Sequence, residues 1–94
     1  MTSDTSELQV RFGRALLMLR TGRHLSQEDL ALEAGLSRTF VGDVERGTRC
    51  PTICSVAALA RVLGLEPYEL VKAADDMAPW VTPAAQRTRR TPSP

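Results

Sequence analysis

Apolar positions in this chain recur at spacings of three and four in five separate runs, and each run predicts a helix. Leu8, Phe12, Ala15, Leu16 and Leu19 make the inner face of a first helix, capped by Ser6 and running to about residue 21. Leu30 and Ala34 face inward from a second, over residues 27–34, with Ala31 small enough to let a neighbouring helix cross opposite Val41. Val41 and Val44, with Phe40 beside them, turn one side of a third helix (37–46) toward the protein. Ile53, Val56, Leu59, Ala60 and Leu63 stripe a fourth, and Tyr68, Leu70, Val71 and Ala74 supply the apolar side of a fifth. No stretch alternates with strand period. The pattern predicts an all-α five-helix bundle.

Punctuation agrees with the pattern. Ser26 with Asp29 resembles a capping box, and Thr52 is placed to cap the fourth helix. Pro67 is tolerated at the first position of the fifth. Gly35 stands where the second helix must end in a left-handed residue, and Ser37 can cap the third. Two short helices joined by such a turn form a helix-turn-helix, whose second helix typically enters the DNA major groove.

The outward side of that second helix carries Arg38, Thr39, Gly42 and Asp43. Arg matches guanine O6 and N7, Thr several base edges, and Asp the cytosine amino group. Gly42 costs about 1 kcal/mol relative to Ala inside a helix. A close approach of backbone to DNA, or of helix to helix, would account for it. A solvated polar face with a tolerated glycine fits the same four residues. Gln27 lies at a helix N-terminus, where outward N–H groups seat a phosphate.

Composition changes this picture little. The 94 residues suffice for one domain, and a net charge of +1 gives bulk charge no vote for nucleic acid. Lys72 is the single lysine, so a phosphate-binding face must come from placed arginines. Cys50 and Cys54 lie four apart, and His24, the single histidine, cannot complete a zinc site with them. Unpaired thiols, no signal peptide and no membrane-spanning run point to the cytoplasm. With one His, no glycine-rich phosphate loop and no paired acids in an apolar setting, neither an enzyme nor a cofactor is expected.

Domain organisation follows: a loose N-terminus over residues 1–5, a DNA-binding domain over 6–76, and a Pro/Arg-rich tail over 77–94 that cannot bury enough surface to order itself. Trp80 stands out in that tail. It can fold back on the domain, sit in a dimer contact, or remain exposed.

The run LSQEDLALEAGLSRTFVGDVERG, followed by P-T-I-x-x-V-x-x-L-A-x-x-L-G-L, resembles the phage repressor and Cro-type helix-turn-helix regulators, the XRE family. The similarity covers roughly residues 12–71 and implies a lambda-repressor-like DNA-binding domain. The R-T-F-V segment is most similar to small members that control restriction-modification genes. The resemblance implies that Gln27 contacts a phosphate, with Ser37, Arg46, Thr48 and Arg49 gripping the backbone. It assigns base reading to Arg38, Thr39 and Asp43, with Gly42 alongside, and makes Arg20–Glu45 a structural ion pair. Asp43 departs from the amide or hydroxyl usual there, so orienting Arg38 or Arg46 is its other reading.

One motif reads few base pairs. A homodimer on a palindromic operator doubles the site, with reading helices about 34 Å apart. Spare apolar residues toward the fifth helix, Leu65, Pro67, Val71, Met77 and Trp80, are the expected dimer surface. The implied function is a DNA-binding transcriptional regulator that controls its own gene. The alternative is an antitoxin or other interaction module whose tail holds a protein partner.

Overall fold

The computed structural model describes residues 2–77. Within them α1 spans Thr2–Gly22, α2 Gln27–Ala34, α3 Arg38–Glu45, α4 Ile53–Val62 and α5 Pro67–Asp76, with no strand among the described residues. The expectations for the tail beyond Met77, Trp80 included, lie outside the described residues.

Aliphatic side chains carry the core. Leu16, Leu30, Val41, Val44, Leu59, Leu63 and Leu70 are fully buried, at least one from each helix or its end. Burying each removes roughly 1.5–3 kcal/mol of apolar surface from water. α1 packs against both α3 and α5, while α2 packs against α3 and α4. The helix-turn-helix is therefore backed by α1 on one side and α4 on the other.

Helix ends follow a repeated device. Gly35 holds φ 73°, and Leu36 N donates to Ala31 O at 2.8 Å, closing α2. The end of α1 has the same geometry with a different residue. His24 takes φ 60°, while Leu25 N donates to Arg20 O at 3.1 Å and His24 N to Thr21 O at 2.9 Å. Leu25 and Leu36 then turn back against the core. His24 thus fills a conformation that glycine adopts without steric cost, and Gly22, two residues earlier, remains helical. Arg11 closes the far end: its Nη1 donates to the carbonyls of Asp75 and Met77, both at 3.3 Å, placing a cation at the negative end of α5.

Three expectations need correction. α1 begins at Thr2, so Ser6 lies inside it and does not cap it. The run Thr2–Ser6 offers several capping residue types, and preference alone does not choose among them. Ile53, expected inside, is 87% exposed because it opens α4 beyond the reach of its neighbours. On α5 only Leu70 and Ala74 enter the core; Tyr68 and Val71 face outward, as Leu8 does on α1.

Candidate nucleic-acid interface

α3 is held at both ends by local chemistry. The Ser37 hydroxyl accepts from Phe40 N at 3.0 Å at its start. Val41 and Val44 fasten its inner side, and Arg38 and Thr39 stand exposed on its first turn. α2 starts with a complete capping box, in which Ser26 Oγ accepts from Asp29 N at 2.9 Å and Asp29 Oδ2 accepts from Ser26 N at 3.2 Å. Each helix start is thereby fixed locally.

A chain of polar contacts links the core to the exposed end of α3. Arg20 of α1 forks onto Glu45, donating from Nε to Oε2 at 2.6 Å and from Nη2 to Oε1 at 3.1 Å. Its remaining Nη1 donates to Leu25 O at 2.7 Å. The two side chains retain 11% and 4% of their accessible surface, so the pair is shielded from water. Gln27 Nε2 then donates to Glu45 Oε1 at 2.8 Å. That bond fixes which end of the amide is which, and Gln27 Oε1 is left to accept from Arg38 Nη1 at 3.3 Å. Arg20, Glu45, Gln27 and Arg38 form one continuous relay across α1, α3 and α2.

The other side of α3 is arranged differently. Asp43 forms an ion pair with Arg46, three residues on, and not with Arg38. Its carboxylate orients Arg46. Gly42, expected in the open beside the readers, is buried. A Cβ there would lie 3.4 Å from Arg46 Nη1 and 3.6 Å from Gln27 Oε1, so these two side chains cover it. A Cβ at that position would meet them at ordinary van der Waals distance.

The loop after α3 is pinned. Thr48 donates to Asp43 O from both N, at 3.0 Å, and Oγ1, at 3.1 Å. Gln9 Nε2 of α1 donates to Gly47 O at 2.9 Å. Arg49 lies over the Phe40 ring, its Cζ 5.2 Å from the centroid. Neither Arg38 nor Arg49 forms a salt bridge with an acid among the described residues, so both present uncompensated charge.

Sequence reasoning missed three of these features: the Gln27–Glu45 bond, the Arg49–Phe40 stack, and Gly13. A Cβ on Gly13 would lie 2.6 Å from Glu45 O and closer still to Val44 O, so this glycine sets how closely α1 crosses α3. The signal was available. Gly13 sits mid-helix at the same cost that drew notice to Gly42.

Residues 16–70, more than half of the chain, match the family described as Helix-turn-helix. This chain belongs to the XRE-type helix-turn-helix family. The family is one of DNA-binding transcription regulators. Among its relatives, the control protein C.BamHI of Bacillus amyloliquefaciens is 34% identical over 68 residues, covering 71% of this chain and 84% of that protein. The control protein C.SmaI of Serratia marcescens is 40% identical over 52 residues, covering 55% and 62%. The crystal structure of the restriction-modification controller protein C.AhdI from Aeromonas hydrophila superposes with a TM-score of 0.64 at 48% identity, over 66% of this chain and 94% of that one. The clp gene regulator ClgR from Corynebacterium glutamicum shares the fold, with a TM-score of 0.69 at 22% identity over 72% of each chain.

Against that family frame, Leu65 and Met77 of the expected dimer surface are partly buried on this chain's own core. Pro67 and Val71 are exposed, and Trp80 lies outside the described residues. Pro51, Ile53, Val56, Pro67, Tyr68 and Val71 surround one apolar concavity between α4 and α5. Cys50 and Cys54 are free, exposed thiols. No helix among the described residues is long and apolar enough to cross a membrane.

Proposed function

We propose that this protein is a sequence-specific transcription regulator of the restriction-modification controller type, acting in the cytoplasm as a homodimer on a palindromic operator, its own promoter included. The carrying observation is the relay that ends in Arg38. A buried ion pair and an oriented amide hold a guanidinium on the exposed first turn of α3, where a forked donor meets guanine O6 and N7. Its likeness to C.BamHI and C.AhdI supports the controller assignment.

In this reading Arg38 and Thr39 contact base edges. Asp43 acts through Arg46, and Gly42 lies beneath the Gln27 and Arg46 side chains. The second N–H of Gln27, Ser37 at the α3 N-terminus, Arg46, Thr48 and Arg49 contact phosphates. The protein works through binding alone, without catalysis or a cofactor. Dimerisation uses the apolar surface of Ile53, Pro67, Tyr68 and Val71, which keeps Pro67 and Val71 of the set expected from sequence and adds Ile53 and Tyr68. Pairing through α4 and α5 leaves α3 uncovered.

Fluorescence anisotropy with a duplex from the promoter of its own gene tests this, against a scrambled duplex of equal length. Operator-like binding exceeds non-specific binding by roughly 10³-fold or more at physiological salt. Equal affinity for both duplexes at every salt concentration would refute sequence-specific regulation of that promoter.

A further inference from the structure

We infer that Phe40 is a positioning residue for DNA binding, holding Arg49 in place beside the exposed end of α3. The inference rests on the DNA-binding reading above and adds to it a residue that contacts no nucleic acid. Phe40 follows Arg38 and Thr39 directly in the first turn of α3, and its backbone N–H is bound by Ser37. One part of the ring packs on the core. Another part receives the Arg49 guanidinium, 5.2 Å from the ring centroid.

Arg49 comes from the loop beyond α3, and among the described residues the hydrogen bonds tying that loop to α1 and α3 are those of Gly47 and Thr48. Gly47 is held by Gln9, and Thr48 bonds twice to Asp43 O. Without a seat, an exposed arginine after that point would sample many rotamers and lose that freedom on meeting a phosphate. Stacking on an aromatic face suits the flat guanidinium and leaves its edge N–H groups available. No acid among the described residues neutralises Arg49. The ring therefore pre-orders a full positive charge next to the reading helix. An aliphatic side chain of similar size would fill the core half of the site and leave the guanidinium without its seat.

Salt-dependent binding to a mixed-sequence duplex of about 30 base pairs isolates this role, because phosphate contacts act on any DNA. Phe40→Leu weakens binding about two- to fivefold, the range an exposed cation–aromatic contact supplies. It also lowers the slope of log affinity against log salt by up to about 0.9, one phosphate's worth. Arg49→Ala produces the lower slope by itself, and Phe40→Leu adds nothing in that background. Phe40→Tyr, which keeps the ring, retains wild-type affinity and slope. A ring-current upfield shift of the Arg49 side-chain protons, present in the wild type and lost in Phe40→Leu, reads the stack without DNA. The inference is overturned if Phe40→Leu leaves affinity and slope unchanged, if it weakens binding equally in the Arg49→Ala background, or if Arg49 protons show no ring-current shift. A wild-type protein that fails to bind the duplex even at low salt overturns the DNA-binding reading itself.

Discussion

Gly13 of α1 lies against the backbone of Glu45, so close that a Cβ on the glycine would come within 2.6 Å of the Glu45 carbonyl oxygen. The same Glu45 receives Arg20 from α1 through its side chain. Backbone contact and ion pair together fix α3 to α1. Gly13→Ala forces the two helices apart. Ala gains about 1 kcal/mol of helix propensity, but overpacking costs about 1–3 kcal/mol, occasionally more. Net destabilisation in urea unfolding is the expected result. A variant as stable as wild type would mean that the crossing is looser than described.

Removing the acid of the buried pair has a larger effect. Glu45→Ala leaves the Arg20 guanidinium shielded and unpaired, which costs about 3–5 kcal/mol for a buried pair. It also frees the Gln27 amide. Chemical denaturation gives the stability loss, and DNA titration of the remaining folded protein gives a loss of base preference. Unaltered stability would show the pair to be solvated.

His24 offers the opposite sign. It occupies the left-handed region at φ 60° at the end of α1. That conformation costs a side-chain-bearing residue roughly 1–2 kcal/mol, while glycine's freer unfolded chain returns about 0.4–1 kcal/mol. His24→Gly is expected to raise stability by about 0.5–1 kcal/mol, read as a higher urea midpoint with unchanged slope. A lower midpoint would assign the imidazole a contact of its own.

The proposed roles of Arg38 in reading bases and Arg49 in gripping phosphate are separable by mutation. Arg38→Ala should cost about 1–3 kcal/mol on the preferred duplex and relax the preference for one guanine. Arg49→Ala should weaken all duplexes alike and reduce the salt slope by about 1. Competition titrations with single-base variants distinguish the two, and identical behaviour of both mutants would refute the division.

On the proposed reading, the apolar surface of α4 and α5 carries the dimer contact. Ile53 is 87% exposed and Tyr68 68% exposed, so Ile53→Asp perturbs no core contact. If the wild type sediments as the proposed dimer, Ile53→Asp should sediment as a folded monomer, with operator affinity lost in proportion. A variant that still dimerises would move the interface elsewhere.

Much of this was legible in the chain itself. The three- and four-residue spacing of apolar positions around Leu16, Leu30, Val41, Leu59 and Leu70 defined five helices, and Ser26, Ser37, Thr52 and Gly35 marked where most of them start or stop. These features are local: period and capping act within a few residues, and each position states its own preference. The exposed pair Arg38 and Thr39 followed from the same periodicity. The first helix start was less legible, since several residues in a row could cap it.

Only tertiary packing decided the rest. Periodicity marked Ile53, Tyr68 and Val71 as apolar-side residues, but whether a neighbour covers them depends on where α4 and α5 end relative to one another. Asp43 could have oriented either arginine, and the i, i+3 geometry with Arg46 settled it. Gly42 and Gly13 carry no side chain to announce what crosses them. Gln27 meets Glu45 across 18 positions of sequence, and Arg11 meets Met77 across 66. Short-range preference has no information at such separations. Those contacts exist because α1, α2, α3 and α5 bury their leucines and valines in one core, which brings their polar edges within bonding distance.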